Sequence, residues 1–247
     1  MKKIVLLLSL VATGLFAQAQ TVEEILNTYF ENVGGKEKLS TLNATQMTAK
    51  VNVQGMELPV EIVNTKDGKS LMKFQFQGKE LVQQAFDGET AWAHNMMTMV
   101  AEKSDAETTE NMKREAGSFP DPFLNYQEKG FKVELMGKED MEGTPCFKVK
   151  LTKKPLMVDG QEQENVVYYF FDAENYVPLV AETMITSGPM KGKISQQIFS
   201  DYQEVDGLYF PFSLSFQLKG ESGGQSLKVE SVMLNPEIDD SIFAFKE

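Results

Sequence analysis

The chain has very few of the side chains on which most catalytic and metal sites depend. Its 247 residues include one cysteine, Cys146, and one histidine, His94. A single histidine excludes a metal site built on two or three histidines, and we expect no nucleophile elbow on which His94 could act. No Gly-x-Gly-x-x-Gly or Walker sequence occurs. The sequence therefore predicts a protein that is not an enzyme and binds no metal or cofactor.

Basic residues are also scarce. There are 24 lysines and arginines against 36 acids, which gives a formal net charge of -12, and the single arginine is Arg114. Nucleic acids and anionic headgroups both bind clustered basic side chains, so the composition excludes nucleic acid as a partner. Among so many acids, pairs of carboxylates are unavoidable, and they give no support for a glycosidase.

The first residues are typical of an export signal. Lys2 and Lys3 precede an apolar run over residues 4–16, and Ala17-Gln18-Ala19 supplies small residues for cleavage near Ala19. The alternative, a membrane anchor, needs about 20 apolar residues. A lipid anchor would need a cysteine at the cleavage point. We therefore expect a signal peptide at 1–19, a single domain at 20–247, a periplasmic location and no stable membrane insertion.

Helical periodicity occurs only near the start and in one insertion. Apolar residues at helical spacing predict a helix over 21–32, followed by a short turn of helix over 36–42. Between residues 104 and 129 the alternation breaks. There, Ser104 and Glu107 match a capping box, and Asp121 before Pro122 predicts the start of another helix.

Elsewhere the apolar period is two, and turn sequences such as Asp87-Gly88 and Asp206-Gly207 separate the segments. Without alternating helices, these segments predict one large, strongly curved antiparallel sheet. The predicted strands are 45–54, 57–65, 69–77, 80–86, 89–94, 96–102, 131–138, 145–152, 164–172, 178–187, 191–203, 208–218 and 226–234.

Some of these strands carry large apolar side chains on one face. Phenylalanine and leucine alternate over 210–218, and a similar pattern covers 72–76. An ordinary packed core is one explanation. The other is a lining for a flexible acyl chain, which 17 phenylalanines and 14 methionines would suit. The methionines after His94 could also bind copper(I), but methionine is spread throughout the chain, which favours packing.

The order of parts resembles the periplasmic outer-membrane lipoprotein carrier LolA and related sorting proteins. The resemblance includes the signal peptide, the short helix before Gly34-Gly35, the hairpins and the helical insertion. It extends to the segments 86–92, 205–211 and 235–243, with sequences Phe-Asp-Gly-Glu-Thr-Ala-Trp, Val-Asp-Gly-Leu-Tyr-Phe-Pro and Asn-Pro-Glu-Ile-Asp-Asp-Ser-Ile-Phe. It implies a mainly β fold with a few helices, in which an unclosed antiparallel β-barrel, or half-barrel, is covered by a helical lid.

On this basis the apolar residues divide into a cavity wall and a lid. The expected lipid-binding wall is Met72, Phe74, Phe76, Tyr168, Phe170, Met184, Ile194, Ile198, Phe210, Phe212, Leu214 and Phe216. The expected lid is Leu26, Tyr29, Phe30, Met112, Phe119, Phe123 and Leu124. The known carriers also place an arginine in the cavity, whereas Arg114 lies in the polar insertion, so no residue of this chain can be assigned that role from the resemblance. The alternatives are that a lysine substitutes, that the chain binds another lipid, or that the fold serves a different task.

The resemblance implies a monomeric periplasmic carrier that binds acyl chains of lipoproteins or other lipids and takes part in outer-membrane lipoprotein sorting. Its partners would include an inner-membrane donor and an outer-membrane acceptor. The alternative is an interaction or sensor module that uses the same half-barrel without transport, and a hydrolase acting through His94 ranks third. Sequence does not identify the cargo lipid.

Overall fold

The computed structural model describes residues 20–53, 55–221 and 223–246, so the expected signal peptide lies outside the described residues. The helices are α1 (Val22–Asn32), α2 (Lys36–Ser40) and α3 (Ala106–Glu115). The strands are β1 (Ala44–Val53), β2 (Met56–Thr65), β3 (Ser70–Phe76), β4 (Lys79–Phe86), β5 (Ala91–His94), β6 (Ala101–Lys103), β7 (Lys132–Met141), β8 (Thr144–Val158), β9 (Gln161–Asp172), β10 (Pro178–Met184), β11 (Ile194–Val205), β12 (Leu208–Leu218) and β13 (Gln225–Leu234). No helix in these ranges is long and apolar enough to cross a membrane.

All thirteen strands form one antiparallel sheet in the order β6-β5-β4-β3-β2-β1-β13-β12-β11-β10-β9-β8-β7. Apart from the pair β1–β13, neighbours in the sheet are neighbours in the chain, as a series of hairpins requires. In the described ranges, the end strands β6 and β7 do not pair with each other. The expectation of an unclosed half-barrel with a helical lid is therefore confirmed.

The sheet has two faces, which the strand register defines. We call the face that packs against α1 the inner face, and the opposite face the outer face. On β12 the inner face carries Leu208, which packs with α1, and continues through Phe210 to Phe212. Because side chains alternate along a strand and directly paired residues share a face, this assignment extends to every strand.

The helix α1 lies on the inner face near β7–β9. Its start is a capping box, in which the Thr21 side chain accepts from the Glu24 N–H and the Glu24 side chain accepts from the Thr21 N–H. Its apolar side meets aromatic rings of the sheet and of the insertion, with the Tyr29 ring centroid 5.4 Å from that of Phe171. This end of the half-barrel is a packed core.

The C-terminal segment covers the outer face of β2–β5. The indole N–H of Trp92 donates to the backbone oxygen of Phe243 at 2.7 Å, and Phe243 is fully buried beside Val63 and Leu71. This cluster occupies the face opposite Met72, because residues 71 and 72 point to different sides of β3. The tail thus closes one outer surface and leaves the inner surface of β2–β4 available.

The insertion differs from expectation in two places. The N-cap of α3 is Asp105, whose carboxylate accepts from the Thr108 N–H at 2.6 Å, and not Ser104. After Asp121 the chain forms a series of turns over 122–130 and no α-helix, although Asp121 Oδ1 does accept from the Phe123 N–H. Because the buried Phe123 and Leu124 point into the α1 cluster, tertiary packing determines this segment.

Polar side chains attach α3 to the β8–β9 hairpin. Asn111 exchanges two hydrogen bonds with the backbone of Met157, at 2.8 Å and 2.7 Å. Arg114 donates to the Pro155 oxygen and pairs with Glu162, both at 2.8 Å. On its other side α3 contacts β5. The helix therefore bridges two distant parts of the sheet, and the only arginine holds it there.

Candidate functional site

The inner face of β1–β4, β12 and β13 contains a groove of about 720 Å³. Its walls come from strands that are adjacent in the sheet, together with side chains from the turn between β5 and β6. The lining residues are Val51, Val53, Leu58, Val60, Met72, Phe74, Phe76, Leu81, Gln83, His94, Met96, Met99, Phe216, Gln225 and Leu227. None of these fifteen residues is acidic, lysine or arginine. We call this volume the apolar groove.

The strand register explains why the apolar residues converge. One row of directly paired residues crosses the sheet as Ala49, Val60, Phe74 and Leu81. A β-bulge between Met72 and Lys73 inserts Gln83 into the next strand, so Gln83 also faces the groove. The groove is therefore a property of pairing between strands and not of any single strand.

The structure brings together part of the expected wall. Met72, Phe74, Phe76 and Phe216 line the apolar groove, and Phe216 is 40% exposed at its edge. Three further expected residues, Phe210, Phe212 and Leu214, lie on the same face but pack into the adjoining core. Their position on the inner face is as expected, and their side chains fill space that the groove does not occupy.

The five remaining expected wall residues lie on the outer face, so their assignment to one wall with Phe212 is wrong. Phe170 pairs with Val180, Val180 with Ile198, and Ile198 with Ser215, which points away from the groove. The same register places the other four on that side. The residues concerned are Tyr168, Phe170, Met184, Ile194 and Ile198. Because β9 is apolar on both faces, its sequence does not show which face is inner.

Most expected lid residues form a packed cluster against the inner face. Within it, the Phe123 ring centroid lies 4.9 Å from that of Tyr169 and 5.4 Å from that of Phe171. The expected lid residues in or against this cluster are Leu26, Tyr29, Phe30, Phe119, Phe123 and Leu124. Met112 lies apart from them on α3, where its sulfur accepts from the Gln84 side chain at 3.4 Å.

Several groove residues were not anticipated from sequence. Val51, Leu58 and Leu227 come from strands with ordinary alternation, which gives no sign of a hollow. Met96 and Met99 come from the turn after His94, and they are 46% and 37% exposed. The available signal in the sequence was the density of methionine after His94, because flexible methionine side chains are common at adaptable binding surfaces.

The polar side chains that line the groove are Gln83, His94 and Gln225. His94 Nδ1 accepts from the Val82 N–H at 3.0 Å, which leaves the proton on Nε2. Residues 220–224 do match Gly-x-Ser-x-Gly, but they connect β12 to β13, whereas a nucleophile elbow joins a strand to a helix. In the described ranges, no group of three histidine, cysteine or acidic side chains could hold a metal ion.

A partly buried carboxyl, that of Asp121, lies where the insertion meets α1. The Tyr29 hydroxyl donates to Asp121 Oδ2 at 2.6 Å, and the Lys129 ammonium donates to the Asp121 backbone oxygen at 2.7 Å. Burial raises the pKa of Asp121 above its ordinary value, although these neighbours favour the ionised form. Burial and the Asp121 charge raise the pKa of Tyr29, and burial lowers that of Lys129. The lid core therefore contains an ionisable group whose charge is unfavourable.

We expect Asp121→Asn to stabilise the protein relative to the wild type increasingly as the pH rises from 4 to 7. Because the folded-state pKa is raised, the stability from Asp121 is complete below its unfolded pKa and is lost as the pH rises through the folded value. Urea denaturation at several pH values measures the difference. Asp206→Asn, in an exposed turn, is the control and should give a nearly constant difference. A constant difference for Asp121→Asn would contradict the prediction.

Comparison with protein-family models and with curated proteins gives no match. Solved structures do match over most of the chain. A LolA superfamily protein from Nitrosomonas europaea has 13% identity and a TM-score of 0.55, with 92% of this chain and 99% of that chain covered. A putative outer-membrane lipoprotein-sorting protein domain from Vibrio parahaemolyticus has 10% identity and a TM-score of 0.52, with 89% of this chain and 94% of that chain covered. A DUF1329 family protein from Desulfovibrio piger has 13% identity and a TM-score of 0.50, with 89% of this chain and 97% of that chain covered. The chain has a LolA-like fold.

Proposed function

We propose that this protein is a periplasmic carrier that holds the acyl chains of lipoproteins or other lipids in the apolar groove and takes part in outer-membrane lipoprotein sorting. The observation that carries the proposal is the hollow on the inner face, lined without charged side chains. Its volume of about 720 Å³ lies within the roughly 300–1,000 Å³ of typical ligand pockets.

The energetics of such a site require little beyond apolar surface. Each buried methylene of a lipid tail contributes about 0.8 kcal/mol, so about ten methylenes give about 8 kcal/mol before the entropic cost of binding. The half-buried Met72 and the exposed Met96 and Met99 are flexible and adapt to a chain without a fixed shape. A carrier gains from this adaptability because its cargo varies.

The fold supports the same proposal. The solved structures with this fold include a protein named for outer-membrane lipoprotein sorting, and the sequence pattern at 1–19 favours export. An inner-membrane donor and an outer-membrane acceptor would then be the partners. Arg114 attaches α3 to the β8–β9 hairpin outside the groove and does not line the groove.

The test is direct binding by the mature protein. We expect protein purified without detergent to carry lipid in native mass spectra, and the delipidated protein to bind a fluorescent fatty acid saturably at one site. Displacement by an unlabelled fatty acid shows that binding is specific. A delipidated, folded protein that takes up no probe would contradict the carrier proposal and favour the interaction module.

A further inference from the structure

The hairpin turns at the two ends of the sheet differ in composition. Because neighbouring strands are antiparallel, the turns lie alternately at one end of the half-barrel and at the other. At the end away from the apolar groove, each hairpin turn within the described ranges contains an acid. These acids are Asp67, Asp87, Glu142, Glu174 and Asp206. That end is therefore strongly hydrophilic.

The turns at the groove end contain an uncharged stretch. The stretches are 55–56, 76–78, 95–100, 184–190 and 223–225, in the turns that follow β1, β3, β5, β10 and β12. We call these five stretches the rim. None of their residues is aspartate, glutamate, lysine or arginine, although these types make up 24% of the chain. The exception at this end is the turn Asp159-Gly160, whose N–H groups donate to Glu107 of α3.

Most of the exposed large apolar side chains in the described ranges lie on or beside the rim. Met97 is 91% exposed, and Val100 in the same turn is also exposed. The others at this end are Met56, Met96, Met99, Met184, Met190 and Phe216, whereas Met136, Tyr209 and Met233 lie elsewhere. Single exposed apolar residues are usually scattered, so their concentration at one end indicates an interaction surface.

The composition of the rim suits a lipid bilayer. Its exposed apolar side chains come from separate turns and are mainly methionines, which are flexible and present no fixed shape to a protein partner. Apolar side chains enter the interfacial region of a bilayer to a depth of about 5–10 Å without any need for a matching shape. Since the chain has a net charge of -12, an anionic surface would repel it, whereas a zwitterionic surface would not.

The rim is continuous with the apolar groove, because Met96 and Met99 belong to both. We propose that the rim docks reversibly on a bilayer of zwitterionic phospholipid, with Met97 and Val100 inserted among the head groups. This inference goes beyond the proposed function, because docking does not require a lipid in the groove. In the docked protein the groove faces the membrane, so an acyl chain can pass between them with little exposure to water.

The test is vesicle binding by two variants that add the same charge. The rim variant combines Met97→Asp with Val100→Asp. The control variant combines Met136→Asp with Met233→Asp, at two exposed methionines away from the rim. We expect the mature wild type and the control to sediment with vesicles of phosphatidylcholine and phosphatidylethanolamine, and the partition coefficient of the rim variant to fall about tenfold. Because neither Met97 nor Val100 lines the groove, the rim variant should bind a fluorescent fatty acid as the wild type does.

Tryptophan fluorescence gives a second measurement. The only tryptophan, Trp92, is buried and donates to the backbone oxygen of Phe243, so its emission should not respond to vesicles. The indole introduced by Met97→Trp should shift its emission to shorter wavelength on the same vesicles. Phosphatidylcholine brominated on its acyl chains should quench it.

The remaining outcomes separate this inference from the proposed function. If the wild type stays in the supernatant, if the rim and control variants bind vesicles equally, or if the indole at position 97 is not quenched, the rim does not dock on membranes. Tighter binding to vesicles that contain phosphatidylglycerol would also overturn the inference, because it would show an electrostatic contact. If vesicles bind and no fatty acid does, the carrier proposal fails while the docking surface remains.

Discussion

Replacing Val51 with tryptophan is expected to weaken binding of a fluorescent fatty acid roughly 50-fold and to change the melting temperature by no more than about 3 °C. Val51 lies in the middle of the apolar groove, where it pairs with Leu58 on one side and Leu227 on the other. An indole at this position displaces about three methylenes of a bound chain. At about 0.8 kcal/mol for each methylene, the loss is about 2.4 kcal/mol.

The stability readout separates a hollow from a packed core. A larger side chain in a filled interior forces its neighbours off their rotamers and costs about 1–3 kcal/mol or more. In a groove of about 720 Å³ the added atoms have room, and they bury apolar surface that is otherwise open. Binding should therefore fall without a matching loss of stability.

Val63→Trp is the matched control. Val63 lies on β2, the strand that pairs with the Val51 strand β1, but its side chain is fully buried on the outer face beside Phe243. We expect this variant to lower the melting temperature by about 2–4 °C for each kcal/mol of overpacking, while its folded fraction binds the probe normally. If Val51→Trp instead destabilises the protein as Val63→Trp does and binds the probe normally, the groove is ordinary core.

The sequence predicts the strands well because the turns between them have specific chemistry. Asp206-Gly207 joins β11 to β12 with φ of 48° and 74°, the left-handed conformation that glycine and aspartate adopt most readily. Such turns restrict the register, and alternation then gives each strand its two faces.

The sequence does not predict which face of each strand is inner. In β9, Tyr168 and Phe170 appear as apolar as Tyr169 and Phe171, and only the pairing with β8 and β10 distinguishes them. That pairing depends on long-range contacts, which local propensity does not contain. The groove has the same origin, because it needs six strands in one register before a hollow exists.

The insertion shows a second limit. Asp105 and Ser104 are both good N-cap residues, and the choice between them depends on where α3 must sit to reach β8. In the structure Glu107 does not close a capping box. Its carboxylate accepts from the backbone N–H groups of Asp159 and Gly160, at 3.2 Å and 2.8 Å. A tertiary partner has therefore replaced the local one.

The hydrogen bonds that attach α3 to the β8–β9 hairpin should control how often α3 opens. We expect Asn111→Ala to accelerate amide hydrogen exchange in α3 about 30-fold, with little change in β8 away from Met157. The variant removes two hydrogen bonds to the Met157 backbone, each worth about 1 kcal/mol, and the total of about 2 kcal/mol changes the opening equilibrium by that factor.

Lys113→Ala is the control, because Lys113 is exposed on the same helix and alanine there preserves helix propensity. It should leave exchange within about twofold of the wild type. If α3 is the part of the lid that opens for cargo, Asn111→Ala also raises the dissociation rate of the bound fluorescent fatty acid in proportion to the exchange rate. Faster exchange with unchanged dissociation would show that cargo leaves the apolar groove at the Met96 and Met99 end, and that α3 only braces the half-barrel.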